Sequence, residues 1–267
     1  MSDRRAKGAA FRALHAGPPF VIPNPWDAGS ARMLAALGFH ALATTSSGFA
    51  FTLGRPDGQV SLDEVVAHAG TIDRATDLPV SVDLENGHGS EPEAAADAVV
   101  RVAEVGAAGA SIEDYDRDGH HLYDLPLAVE RIAAAAEAAH GSDAPFTLTA
   151  RAENHIRGNP DLDDTITRLA AYRDAGADVL YAPGLTSREQ VRLVCDAVSA
   201  PVNVLALPGM RVPEIMDAGA QRISVGGGLT WVAVNAAARA AAELLDRGDL
   251  SSFGDAPPLR DWFEGSG

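Results

Sequence analysis

An apolar run that ends in two carboxylates and a glycine-rich turn, Pro79-Val-Ser-Val-Asp83-Leu-Glu85-Asn-Gly87-His88-Gly89, carries the clearest chemical signal in the chain. The same order, apolar and then charged, recurs at Gly109-Ala-Ser-Ile-Glu113-Asp114 and at Phe146-Thr-Leu-Thr-Ala-Arg151-Ala-Glu153. Asp83 and Glu85 stand two residues apart, so on a continuing strand their side chains share a face. Carboxylates converging on one mouth repel one another unless a cation sits among them. Oxygen-only ligands of this kind suit Mg²⁺ or Mn²⁺, and both metals accept such a set. Solvated acids at a loop rim are the bland reading of Asp83 and Glu85 alone, and it weakens once Glu113 is added. Arg151 ends an otherwise apolar strand, where an unpaired guanidinium is costly; a bound acid or a nearby carboxylate must face it. Thr44-Thr45-Ser46-Ser47-Gly48 offers amides and hydroxyls that can cradle a carboxylate, although Ser/Thr/Gly runs are also ordinary loops.

These groups need a scaffold that gathers strand ends. Eight strand candidates fall near 19–23, 41–45, 79–83, 109–113, 146–151, 178–182, 201–205 and 221–225. Alanine-rich amphipathic stretches lie between them, among them Ser30 to Leu37, Pro92 to Gly106, Pro126 to His140, Leu162 to Gly176 and Ser187 to Val198. Gly38, Gly106, Gly176 and Gly219 each follow such a stretch just before the next strand, as suits a residue that closes a helix. Alternating strands and helices require a parallel sheet, and eight units fit a closed (β/α)₈ TIM barrel better than an open doubly wound sheet. All 267 residues are expected to form one barrel domain, close to the ~250 residues common for that fold. A helical tail is expected over about 229–264, and Trp262-Phe263 have no obvious place in a monomer core. In such a barrel the catalytic groups stand at the C-terminal strand ends. Asn24, Asp27 and Asn203 join the acids and Arg151 there.

Composition narrows the partners. A formal charge of -16 opposes nucleic-acid phosphates and anionic membranes, and no apolar stretch reaches the ~18 residues of a membrane span. The expected partner is a small metabolite, and the expected location is the cytoplasm. Cys195, the only cysteine, sits at helical spacing with Val191, Val194 and Val198 and reads as an inert core thiol. Lys7, the only lysine, lies in a polar lead before the first strand. A Schiff-base mechanism needs a desolvated pocket lysine and is disfavoured.

Several motifs, in order from about residue 20 to 245, resemble the isocitrate lyase/phosphoenolpyruvate mutase superfamily. They are Asn24-Pro-Trp26-Asp27, Ser46-Ser47-Gly48, Gly54-Arg-Pro-Asp57, Asp83-x-Glu85-x-Gly87-His88-Gly89, Ile112-Glu113-Asp114 and Ala150-Arg151. The resemblance implies a barrel that exchanges its last helix between subunits in a homodimer or homotetramer. It also implies Mg²⁺-dependent cleavage or formation of C–C or P–C bonds beside a 2-oxo acid. Asp83 would bind the metal directly, with Glu85, Glu113 and Asp57 holding its waters. Thr45, Ser46, Ser47 and Gly48 would grip a substrate carboxylate with Trp26 and Asn203 nearby, and Arg151 would pair with the 2-oxo-carboxylate portion.

Departures from the family pattern matter equally. The isocitrate and methylisocitrate lyases carry a Lys-Lys/Arg-Cys-Gly-His loop where this chain has Tyr115-Asp-Arg-Asp-Gly-His120-His121-Leu-Tyr123-Asp124. That loop is expected to gate the site, with His120 and His121 as acid/base candidates; exposed loop histidines are the competing reading. Tyr181-Ala-Pro-Gly184 and Asn203-Val-Leu-Ala-Leu-Pro208-Gly209 also replace polar lyase segments. The expected activity is Mg²⁺-dependent C–C bond cleavage, as a lyase, hydrolase or decarboxylase, on a small 2-oxo or 2-hydroxy dicarboxylate through an enolate. A phosphonate-processing enzyme using Asp57, or a 2-oxo acid binding protein without turnover, are the alternatives.

Overall fold

The computed structural model describes residues 2–254 and 257–264. In chain order its strands are β1 (Phe20–Ile22), β2 (Leu42–Ala43), β3 (Val80–Asp83), β4 (Gly109–Glu113), β5 (Tyr115–Asp116), β6 (His121–Leu122), β7 (Thr147–Arg151), β8 (Val179–Tyr181), β9 (Val202–Leu205) and β10 (Arg222–Ser224). Eight of them form one parallel sheet in the order β1-β10-β9-β8-β7-β4-β3-β2, while β5 and β6 make a separate antiparallel hairpin. The Ala43 amide donates to the Pro23 carbonyl at 3.1 Å, bringing the sheet's two edges together. The result is the (β/α)₈ barrel expected from the repeat.

Helices α1 (Ser2–Ala16), α2 (Ala28–Ala36), α3 (Ser46–Thr52), α4 (Leu62–Ala75), α5 (Pro92–Glu104) and α6 (Leu125–His140) come first. They are followed by α7 (Leu162–Asp174), α8 (Arg188–Ala197), α9 (Val212–Asp217), α10 (Gly228–Arg247) and α11 (Leu259–Glu264). Local chemistry sets several starts: Ser61 with Glu64 and Ser187 with Gln190 form reciprocal capping boxes, and Asp27 with Ser30 does the same for α2. Gly176 closes the α7 turn at φ +107, and a Cβ there would stand 2.9 Å from the Ala136 Cβ. Backbone conformation and close packing both require glycine at that position.

The two-residue period of the strands divides the side chains. Val82, Ala110, Ile112, Leu148, Ala150, Leu180, Val204 and Ile223 face outward into the main core with the surrounding helices. Alternate residues face the barrel axis, and several are small and polar: Ser81, Ser111, Thr149, Asn203 and Ser224. Barrel interiors are usually filled by bulky branched residues. Small inward side chains instead leave open space beneath the C-terminal rim.

Two expectations about the ends change. The polar lead is helix α1, which covers the opposite barrel end. Phe11 is fully buried with Phe20, Ile22, Ala41 and Ala108. Lys7 is buried too, donating to Asp73 Oδ1 at 2.8 Å and to the Asp73 and Thr76 carbonyls, where it neutralises the C-terminus of α4. Trp262 and Phe263 lie in α11, which packs on α2 of the same chain, with Arg32 donating to the Phe263 carbonyl. Among the described residues no helix is long and apolar enough to cross a membrane.

Candidate active site

Three neighbouring strands deliver the central charges. Asp83 ends β3, Glu113 ends β4 and Arg151 ends β7, with Glu113 and Arg151 paired in register. The Arg151 guanidinium reaches Asp83 Oδ1 at 2.9 Å, Glu113 Oε2 at 2.9 Å and Glu153 Oε1 at 2.8 Å. Burial opposes its charge, but these carboxylates raise its pKa well above the ordinary arginine value. Burial likewise opposes ionisation of Asp83; Arg151, the Ser46 amide, Arg117 and the Glu85 amide together outweigh it and hold this carboxyl below its usual range.

A second arginine enters from the β5–β6 hairpin. Arg117 Nε lies 2.9 Å from Glu85 Oε2 and 3.3 Å from Glu113 Oε1, and its Nη1 lies 3.7 Å from Asp57 Oδ2. A third, Arg157, approaches Glu113 and Glu153 at 3.3 and 3.0 Å and stacks over Tyr115. Burial dominates at Glu85 and lifts its carboxyl to about 7, with Asp83 and Asp57 adding to the rise. Glu113 is also lifted, by burial and then by Glu153. Behind the cluster, Glu85 and His88 adopt left-handed φ of 51 and 59. The buried Arg131 holds that turn, donating to the carbonyls of Asn86, Gly89 and Glu91.

The cluster carries excess negative charge. Five carboxylates, Asp57, Asp83, Glu85, Glu113 and Glu153, face three guanidinium groups, leaving two negative charges when all are ionised. Glu85 Oε1, Glu113 Oε2 and Glu153 Oε2 are buried without an aligned hydrogen bond, although the last two lie 2.9 and 3.0 Å from guanidinium nitrogens. Hard oxygen donors with a charge deficit of two fit a divalent cation. Among the described residues, no group of three His, Cys, Asp or Glu side chains stands ready as a metal cage. Arg117 and Arg151 occupy the space between the acids, so admission of a cation requires their contacts to open.

Above and inside the rim lies a cavity of about 220 Å³, below the ~300 Å³ lower end for drug-sized ligands. Of the expected residues, Thr45, Ser46, Ser47, Asp57, Asp83, Arg151 and Asn203 line it. Glu85 and Glu113 stand behind this lining as buried partners of the arginines. Thr45 caps a helix where a loop was expected: its side chain accepts from the Gly48 amide, and the Ser46 amide donates to Asp83 Oδ2 at 3.2 Å. Gly48 faces packing instead of the cavity, since a Cβ would lie 2.6 Å from Thr45 Cγ2 and 3.1 Å from Trp26 Cβ. Trp26 is outside the lining.

His120 and His121 are exposed at the hairpin turn, where His120 takes a left-handed φ of 53. The turn directs both histidines outward, and the same segment presents Arg117 to the cavity. Arg117, Tyr181 and Arg222 are site groups to which the sequence reading assigned no role, while Glu153 was expected only as one of the charged strand-end residues. Glu153 follows Arg151 by two residues and Arg222 shares strand parity with Ser224, which are the signals available for them.

A parallel eight-stranded barrel with a buried charge cluster at the ends of three adjacent strands defines the class, a (β/α)₈ barrel enzyme. The family described as phosphoenolpyruvate phosphomutase matches residues 11–245. The chain belongs to that family, within the phosphoenolpyruvate mutase/isocitrate lyase superfamily. A candidate lyase/mutase from Burkholderia cenocepacia J2315 is 49% identical with a TM-score of 0.94, covering 98% of this chain and 96% of that one. The 2-methylisocitrate lyase of Escherichia coli K12 is 34% identical over 206 residues, 73% of this chain and 68% of the relative. Oxaloacetate acetylhydrolase, solved with its product oxalate, is 27% identical with a TM-score of 0.86 over 97% of this chain and 93% of that one.

Proposed function

We propose that this protein is a Mg²⁺- or Mn²⁺-dependent enzyme that cleaves a C–C bond in a small 2-oxo or 2-hydroxy dicarboxylate through an enolate. The carrying observation is the buried cluster at the cavity mouth, where five carboxyl groups meet three guanidinium groups and three carboxylate oxygens lack aligned donors. Oxaloacetate, named in the acetylhydrolase relative, is a compound of this kind, and the small cavity agrees with a short substrate.

Asp83 would hold the cation, with Glu85, Glu113 and Asp57 around it. When bound, the metal supplies Lewis-acid stabilisation of a developing enolate oxygen. Arg151 is fixed on three sides by Asp83, Glu113 and Glu153, so it presents a preorganised positive edge to a 2-oxo acid with little reorganisation. The α3 start contributes the Ser46 and Ser47 hydroxyls to the acid. Tyr181, beneath Arg151, is lifted by burial to about 12; it keeps its proton at neutral pH and acts as a hydrogen-bond donor. Among the described residues, the lining contains no Cys, Lys or His. Protonated groups that could deliver a proton are Tyr181, whose hydroxyl stays protonated, and the raised carboxyls of Glu85 and Glu113 behind the lining.

The test is metal-supplemented turnover on 2-oxo acids, substituted malates and phosphonopyruvate, following pyruvate, glyoxylate, oxalate, CO₂ and phosphate, with Asp83→Ala as control. Metal-dependent product that vanishes in the control supports the reading. Product from phosphonopyruvate alone replaces it with P–C chemistry, and binding without turnover replaces it with a binding protein.

Assembly through an exchanged α10 belongs to the same proposal. Of the 20 residues of α10 only Thr230 is buried, while Val232 is 67% and Leu245 85% exposed. An apolar, alanine-rich helix left uncovered suits a neighbouring subunit. Light scattering that returns a monomeric mass at micromolar concentration would overturn that part.

A further inference from the structure

The barrel floor holds a second basic group that the proposed chemistry does not use. Arg222 opens β10, is only 4% exposed, and lines the lower part of the cavity. Its Nε donates to Asn203 Oδ1 at 2.8 Å and its Nη2 to Thr149 Oγ1 at 2.9 Å. Nη1 stands 3.2 Å from His15 Nε2. That imidazole is neutral: its Nδ1 lies 2.8 Å from the Phe11 carbonyl and donates there, leaving Nε2 to accept. Burial, then Arg222, pushes His15 down to about 3.

All three partners of Arg222 are thus uncharged. A guanidinium has five N–H groups and stays ionised in proteins, so three bonds leave two donors and an entire positive charge without compensation. A buried charge lacking a counter-ion is costly. The contrast with Arg151 is sharp, since three carboxylates surround that guanidinium. The two arginines share one row of side chains across neighbouring strands, Arg151–Tyr181–Asn203–Arg222, each adjacent pair in register. Asn203 also donates to Ser224 Oγ at 3.0 Å, which keeps its carbonyl turned toward Arg222. At the mouth carboxyl groups outnumber guanidinium groups; at the floor a guanidinium stands without any carboxylate partner.

We propose that Arg222, set by Asn203 and Thr149, is an anion subsite on the barrel floor that takes the second carboxylate of the substrate. The inference rests on the reading of the cavity as the site of a small 2-oxo acid, and it adds that the end remote from the metal must be anionic. Ser81, Ser111 and Ser224 line the path between and leave room for a short carbon chain. Bulky inward residues at those positions would have closed it.

The test needs no turnover, so it is separable from the proposed activity. Calorimetric titration of the full-length protein with Mg²⁺ compares succinate with its monoamide succinamate, which replaces one carboxylate by a neutral group of the same shape. The wild type is expected to prefer the diacid at least tenfold. Arg222→Gln should abolish the preference while leaving succinamate affinity within about twofold, and Arg222→Lys should retain part of it. A strut that only anchors α1 through His15 would lower the melting temperature without altering the diacid-to-monoamide ratio. A wild-type ratio near one overturns the subsite even if Arg222→Gln does not fold, and so does a ratio unchanged in a folded Arg222→Gln. If no compound turns over but the Arg222-dependent preference stands, the activity fails and the subsite survives.

Discussion

Arg117 occupies ground that the proposed divalent cation would share, so its removal should tighten metal binding. Its Nε is 2.9 Å from Glu85 and 3.3 Å from Glu113, both nearly inaccessible to water. A hydrogen bond to a charged partner contributes about 1.5–3 kcal/mol net. A cation that draws Glu85 or Glu113 away from Arg117 forfeits at least one such bond. Arg117→Gln removes that competition and one positive charge from the cluster. Since each 1.4 kcal/mol is tenfold in affinity, the dissociation constant for Mn²⁺ should fall by about 10- to 100-fold. Titration calorimetry on protein stripped with EDTA, at pH 7.5, measures this directly, and thermal melting of both proteins checks the fold. Arg117 stands in a hairpin of two-residue strands, so little else should change. If Arg117→Gln binds Mn²⁺ no more tightly, or more weakly, the arginine is not a competitor. It would then act alongside the metal, and the argument from shared carboxylates is wrong.

Three further outcomes are expected. Glu85 is raised to about 7 from an ordinary 4.5, and Glu113 is raised as well; the folded metal-free protein keeps protons there that the unfolded chain has released. The stability they contribute is therefore present below about pH 4.5 and is lost as pH rises through about 7. Differential scanning fluorimetry in EDTA should give a lower melting temperature at pH 8 than at pH 6, with saturating Mg²⁺ narrowing the gap; a rise toward pH 8 contradicts the assignment. Gly48→Ala places a Cβ 2.6 Å from Thr45 Cγ2 and 2.7 Å from Thr230 Oγ1, and overpacking of this kind costs about 1–3 kcal/mol. Urea unfolding should show it, and an unchanged midpoint would mean that α3 shifts freely. The His120→Gln/His121→Gln double variant should keep wild-type turnover, because both rings face solvent at the hairpin turn; a tenfold loss in kcat would return the acid/base role to them.

The barrel was legible because its signals repeat. Each apolar run followed by charge, and each glycine after an alanine-rich stretch, reported one β/α unit, and all eight strands fall within the expected windows. Helix α1 was not, because Arg4, Arg5 and Lys7 give its start a solvated look; the informative residue was Phe11, whose burial depends on a barrel end that no local window contains. Ser46–Thr52 reads as a loop from its first three residues, yet Thr45 caps it and Gly48 is required by packing. At the gate the sequence drew attention to histidines for their titration range. Reach decides instead: the turn at Gly119-His120 carries the imidazoles outward, and Arg117, on the long side chain just before that turn, reaches three acids. Arg222 was hidden for another reason. It begins its strand, far in sequence from the other charges, and only the inward parity it shares with Ser224 places it in the cavity.

The distribution of charge along the cavity, more than any one residue, constrains what the site can accept. The protein as a whole carries a formal charge of -16, so a dianionic substrate approaches against the mean field. The mouth adds to that repulsion to the extent that Glu85 and Glu113 are ionised, and the proposed divalent cation would offset it. Once this is done, a substrate meets positive charge at Arg151 and at Arg222, with Tyr181 and Asn203 between them in one row. A molecule with a single carboxylate satisfies one end and leaves Arg222 uncompensated. A short diacid satisfies both, and metal and substrate should then bind in order, cation first, because each removes the electrostatic obstacle to the next.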